Sequence, residues 1–269
     1  MGLKANNLIS LNWKRLIGST MIIYCILTIY VYVISDRLMF PYNQSSYDIQ
    51  LKGLNILTTK DNTKLAVRFW KSSNEKNLIL YLHGNYLDLG DLDFIAEKFN
   101  EQGYSFLTMD YRGYGLSEGK VSEKNAYQDS QLLFDYAIKL GYLHKKIIIV
   151  GRSIGTGLAT ELALNNRSKA LILISPFVSA YRVVTKIPLF LFDKFDNLSK
   201  ISKITEPLFI VHGNLDAVIH PWHSLDLYNN YNGIKYRHLI QGVGHNDLFD
   251  ENFDEILNQF ELFSQRLSE

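Results

Sequence analysis

The sequence predicts an α/β protein in which a mostly parallel central sheet is flanked by helices and one membrane-spanning helix precedes the folded domain. Three observations carry this reading. Short apolar runs at 77–82, 104–109, 146–150, 170–174 and 208–211 have the composition of strands buried on both faces. Helical patterns at 92–101, 122–140, 154–165, 222–231 and 250–266 alternate with strands, as the crossovers of a parallel sheet require. Residues 16–35 contain no charged side chain and are rich in Ile, Leu, Tyr, Val and Thr.

In chain order, 1–15 reads as a short cytoplasmic segment carrying Lys4, Lys14 and Arg15. The run 16–35 is about 30 Å long as a helix, the thickness of a bilayer's hydrocarbon core. A cleaved signal peptide has a shorter apolar region ending in a small-residue site, and Tyr30, Tyr32, Val33 and Ile34 offer none. The run therefore reads as an uncleaved signal anchor of a single-pass membrane protein. Asp36 and Arg37 cancel on its far side, so the positive-inside bias predicts a cytoplasmic N-terminus and a non-cytoplasmic folded domain. A linker is expected at 36–48, and the folded domain at 49–269. That domain should begin with a hairpin of strands 51–58 and 63–70 around Asp61-Asn62.

Composition narrows the chemistry. The 269 residues are 47% hydrophobic, enough for one sizeable core, and no repeat or low-complexity segment breaks them up. With 28 basic and 27 acidic residues the net charge is +1, without the basic excess that nucleic-acid binding uses. Cys25 is the single cysteine and lies in the apolar run, so no intrachain disulfide, Cys-based metal site or soluble thiol nucleophile is available. No metal, nucleotide or flavin motif appears, and no cofactor is expected.

Ligands bind such sheets beyond the carboxyl ends of the strands. There the run KIIIV leads into Gly151-Arg152-Ser153-Ile154-Gly155 and at once into a helical pattern. This G-x-S-x-G arrangement suits a serine on a tight strand-to-helix turn, with glycines where side chains would collide. The bare pattern recurs by chance in roughly one chain in ten of this size. Indeed Gly115-Leu116-Ser117-Glu118-Gly119 also matches, but no strand runs directly into it and no helix follows, so Ser117 reads as a loop residue. Strand 208–211 runs to Asp216 and strand 236–240 to His245, which gives the order Ser, acid, His on one sheet edge. Ser153 is then the nucleophile, His245 its base and Asp216 the group that orients the imidazole. Asp247, the rival acid, is too near His245 in sequence. His212 and His83 each precede a glycine at a strand end and read as packing or locally bonded; His144, His220, His223 and His238 read as surface or structural. The oxyanion hole should use the Ile154 amide with that of Asn85, Tyr86 being the alternative.

These residues resemble the α/β-hydrolase superfamily over roughly 51–267. Within it the chain resembles the serine-aminopeptidase-like branch that includes membrane-associated protein depalmitoylases. The likeness rests on HGN-x-x-DLG at 83–90, DYRGYGLSEG at 110–119, SEKNAY at 122–127 and SIGTG at 153–157. It continues with SP-x-x-SA-x-RVV at 175–184, FD-x-F-x-NL-x-K-I-x-K at 192–203 and GVGHND at 242–247. It implies an α/β-hydrolase fold and hydrolysis of carboxylic esters or thioesters, with an acyl substrate, free or lipid-linked. Those depalmitoylases attach through an acylated, cysteine-rich N-terminus, where this chain has a hydrophobic helix. A short lid is expected at about 176–204, its apolar stretch 187–192 either packing on the core or gating an acyl pocket. The alternatives are a serine peptidase of aminopeptidase type and a non-catalytic anchored scaffold on the same fold.

Overall fold

The computed structural model describes residues 13–41, 45–74, 77–249 and 252–267. Strands β1 (Leu54–Thr58) and β2 (Lys64–Trp70) form the antiparallel hairpin, and β2 pairs antiparallel with β4 (Ser105–Met109). From there β3 (Leu78–Leu82), β5 (Ile147–Arg152), β6 (Ala170–Ile174), β7 (Leu208–Gly213) and β8 (Lys235–Ile240) continue the sheet in parallel. The order is β1-β2-β4-β3-β5-β6-β7-β8. Edge strand β8 carries Lys235, Arg237 and His238, charge of the kind that discourages edge-to-edge pairing.

The alternation of side chains across each strand builds two apolar layers. Leu80, Ile149, Leu171 and Ile210 face α3 (Glu123–Lys139), α4 (Gly155–Asn165) and α6 (Trp222–Asn230) through Phe134, Leu158 and Leu227. Ile79, Tyr81, Ile148 and Phe209 face α2 (Asp93–Glu101) and α7 (Phe253–Arg266) through Phe99, Phe260 and Phe263. Strands buried on both sides explain their unbroken apolar runs. The short α5 (Leu198–Ile201) closes the segment before β7.

The first helix, α1 (Trp13–Met39), is longer than the expected 16–35 at both ends. Neither Asp36 nor Arg37 stops it; Pro41 does, since the residue before proline is driven out of the helical region. Residues 1–12 of the expected cytoplasmic segment lie outside the described residues. The expected linker 36–48 is correspondingly not a free tether. Its first four residues are helical, Phe40 is buried against Tyr111 and Phe195, and beyond 42–44 Ser46 and Tyr47 hydrogen-bond Asp88 and Asp110.

The segment expected as a lid takes a path that sequence reasoning did not foresee. It climbs along α1: the Tyr181 and Ser35 hydroxyls are 3.0 Å apart, the Phe192 ring meets Tyr32 edge to face, and the Tyr24 hydroxyl donates to the Leu189 carbonyl at 3.0 Å. At its foot Lys194, itself buried, pairs with Asp36 at 2.7 Å. Leu191 is 92% exposed, so this stretch does not pack into the core.

Candidate active site

Ser153 sits where β5 ends and α4 begins, at φ 52°, a left-handed conformation that a serine adopts only when its surroundings enforce it. Its amide donates to the Ile174 carbonyl at 2.9 Å, while the Thr156 amide and hydroxyl bond its own carbonyl at 3.0 and 2.6 Å. The glycines are there for space. A Cβ on Gly155 would strike the Leu82 and His83 carbonyls, and one on Gly151 would strike the Gly155 carbonyl and Ala159.

Asp216 lies in the loop after β7, where its Oδ1 accepts the Val218 and Ile219 amides at 2.9 and 2.7 Å. Its Oδ2 faces His245 Nδ1 at 2.7 Å, and on the other side His245 Nε2 lies 3.1 Å from Ser153 Oγ. With Nδ1–H donated to the carboxylate, the Nε2 lone pair faces the hydroxyl; this tautomer follows from the partners. Burial works against charge on Asp216, but hydrogen bonds from His212 and His245 and the Ile219 amide outweigh it and hold the carboxyl below the usual range. His212 was read from sequence only as locally bonded. Its Nε2 is 2.7 Å from the Ile219 carbonyl and 3.2 Å from Asp216 Oδ2, a second partner whose signal was the four-residue spacing of His212 and Asp216.

The other candidates lie elsewhere. Ser117 is buried, donating to the Asp110 carbonyl and accepting the Ala66 amide, each at 2.9 Å, so it fastens a loop to β2. Asp247 accepts the Gly244 amide at 3.2 Å. His83 stacks on Tyr111, with ring centroids 4.3 Å apart. The loop after β3 abuts Ser153, a Cβ on Gly84 lying 3.7 Å from that of Ser153. Among the described residues neither the Asn85 nor the Ile154 amide meets an acceptor, and the same is true of Tyr86. A cavity of about 650 Å³ opens over Ser153 and His245, walled by Tyr86, Phe94, Ile95 and Phe249, with Arg152 and Asn85 among its polar groups. The stretch 187–192 does not line it. Among the described residues no cluster of three or more His, Cys, Asp or Glu could hold a metal ion.

A serine on an elbow between a parallel strand and a helix, in a sheet of this order, defines an α/β hydrolase, and the chain is a hydrolytic enzyme. Residues 73–200 match the family model for serine aminopeptidase, S33. Alpha/beta hydrolase domain-containing protein 17B of Homo sapiens is 35% identical over 241 residues, 87% of this chain and 82% of that protein. Protein 17C of Mus musculus is 33% identical over 220 residues, 80% and 68% of the two chains. The chain belongs to this family of alpha/beta hydrolase domain-containing 17 proteins. Among solved structures, an esterase of Pyrococcus furiosus superposes with TM-score 0.70 at 18% identity, covering 86% of this chain and 98% of its own. Est1E of Butyrivibrio proteoclasticus, with ferulic acid bound, gives 0.66 at 21%, covering 79% and 98%. These two share the fold.

Proposed function

We propose that the chain is a membrane-anchored serine hydrolase that cleaves acyl esters or thioesters through Ser153, His245 and Asp216. The observation that carries this reading is the imidazole of His245 set between the Ser153 hydroxyl, at 3.1 Å, and the Asp216 carboxylate, at 2.7 Å. His245 Nε2 takes the Ser153 proton as Oγ bonds to the acyl carbon. The carbonyl electron pair moves to oxygen, where the Ile154 and Asn85 amides donate to it; each such donor is worth ~10²–10³ in kcat. The bond to the leaving oxygen or sulfur then breaks, and His245 returns the proton to that atom. Water, deprotonated by the same base, releases the acid from the acyl-enzyme. Asp216, ionised throughout, holds the imidazole and stabilises its protonated form. The cavity walls at Tyr86, Phe94 and Ile95 suit an apolar acyl chain.

Helix α1 is read as the anchor. It is long and apolar enough to cross a bilayer, and its apolar window is unburied by the rest of the chain. The Tyr24–Leu189 hydrogen bond supports this seating, because a carbonyl in hydrocarbon needs an internal donor. Lys14 and Arg15 before the run favour a single pass with the catalytic domain on the non-cytoplasmic side. Protease resistance of that domain in sealed vesicles of known orientation tests this, and cleavage from the cytoplasmic face rejects it. With that topology, acylated cytosolic proteins would be out of reach as substrates.

The matched model, named for an aminopeptidase, favours a second reading, a serine peptidase. Turnover of aminoacyl amides against acyl esters and thioesters separates the two. For the principal reading, a fluorophosphonate probe should label the wild type, and Ser153→Ala should abolish labelling and lower ester kcat by at least ~10³-fold. Labelling retained in that variant would reject Ser153 as nucleophile.

A further inference from the structure

Arg152, the residue before Ser153, differs from the other buried or half-buried arginines in having no polar partner. Arg112 is held by Asp61 and Asp129, and Arg68 by Asp93 and the Leu89 carbonyl. Among the described residues Arg152 makes no ion pair, and its Nε is buried without a hydrogen-bond partner. A guanidinium carries five N–H donors, and an unsatisfied charged group is costly to keep in a protein. Its Cζ lies 4.4 Å from the Phe249 ring centroid, a cation–π contact. A contact of this kind gives the N–H donors no hydrogen-bond acceptor. Arg152 nonetheless lines the cavity beside Ser153. The carboxylate on the same wall, Asp91, is engaged by the Asp88 amide at 3.0 Å.

We propose that Arg152 is a specificity residue that recognises an anionic oxygen group, a carboxylate or a phosphate, on the leaving-group side of the substrate. We assign the side from the loop that carries the contact. Phe249, on which the guanidinium lies, follows His245 by four residues in the loop after β8, and His245 delivers its proton to the departing atom. An anion held beside that loop is therefore assigned to the departing half of the substrate. The selected substrate is then an acyl ester or thioester with an apolar acyl part and an anionic leaving group. This rests on the hydrolase reading above and adds the charge of the substrate.

The test uses full-length protein in non-ionic detergent and three butyryl esters, of 4-hydroxybenzoate, of 4-hydroxyphenyl phosphate and of methyl 4-hydroxybenzoate. In Arg152→Gln and Arg152→Met the ratio of kcat/KM for an anionic ester to that for the neutral one should fall roughly 10- to 100-fold, the range for hydrogen bonds to charged groups. Which anionic ester loses more tells carboxylate from phosphate. A ratio unchanged in both variants overturns the proposal. So does a fall confined to the pair p-nitrophenyl hemisuccinate and p-nitrophenyl butyrate, which would put the anion on the acyl side. Equilibrium binding of the three esters to Ser153→Ala, with and without Arg152→Gln, needs no turnover. If the wild type cleaves no ester, the hydrolase reading fails by itself, and loss or retention of anion-selective binding still decides the role of Arg152.

Discussion

His223 is buried, stacked on Trp222 with centroids 3.7 Å apart, and its Nδ1 accepts the Val178 amide at 3.2 Å. A ring nitrogen that accepts cannot also carry a proton. Burial, reinforced by the neighbouring His212 and Arg182, lowers its pKa to about 4, against roughly 6.5 in an unfolded chain. The unfolded state therefore takes up the proton first on acidification. The stability contributed by the neutral ring is whole above ~6.5 and is lost as pH falls toward 4. Asp110, which burial pushes up to about 8, has the opposite sign: it favours the native state at low pH and loses that benefit as pH rises toward 8. A difference measurement isolates the histidine. Between pH 7 and 5, His223→Gln should lose less of its denaturant midpoint than the wild type loses, and parallel losses would show that the ring does not titrate on unfolding.

At the scale of elements, the turn from β5 to α4 concentrates the requirements of the site. Its strand is clamped between β3 and β6, its helix packs back on the sheet, and Gly155 lets the helix start pass against the Leu82 carbonyl. Backbone cannot yield as a flexible side chain can. Gly155→Ala should therefore destabilise the protein by at least about 1–3 kcal/mol and slow fluorophosphonate labelling. Gly18→Ala, on α1 with open space around it, should leave the labelling rate as it was. Much of this was legible beforehand, because a buried strand, a glycine-flanked serine and a following helix are each written in local residue types. The eight strands and the two apolar layers follow from the same alternation, whereas the order in which the strands pair does not. What stayed hidden depends on contacts distant in sequence. Nothing near residues 187–192 says that they meet Tyr24 and Tyr32, and the spacing of His212 from Asp216 gains meaning only once the loop closes. The apolar run 16–35 marks the middle of α1 and not its ends, and the helix continues to Met39, just before Pro41.

For the molecule as a whole, the join between α1 and the hydrolase domain is a packed interface. Phe40 is the first core residue after the helix, in contact with Tyr111 and Phe195 on the layer that also supports α4. Phe40→Ala should cost about 3–5 kcal/mol and bring forward the temperature at which probe labelling is lost. An unchanged midpoint would mean that the domain is indifferent to its connection. The Asn85 side chain reaches the Met39 carbonyl at 3.4 Å, so the loop beside Ser153 touches the end of α1 itself. With α1 seated in a bilayer as proposed, an enzyme fastened this way could not swing out to meet molecules in bulk solution. Its active-site rim would then travel with the lipid surface, and encounters would become a two-dimensional search governed by how densely substrate populates that plane.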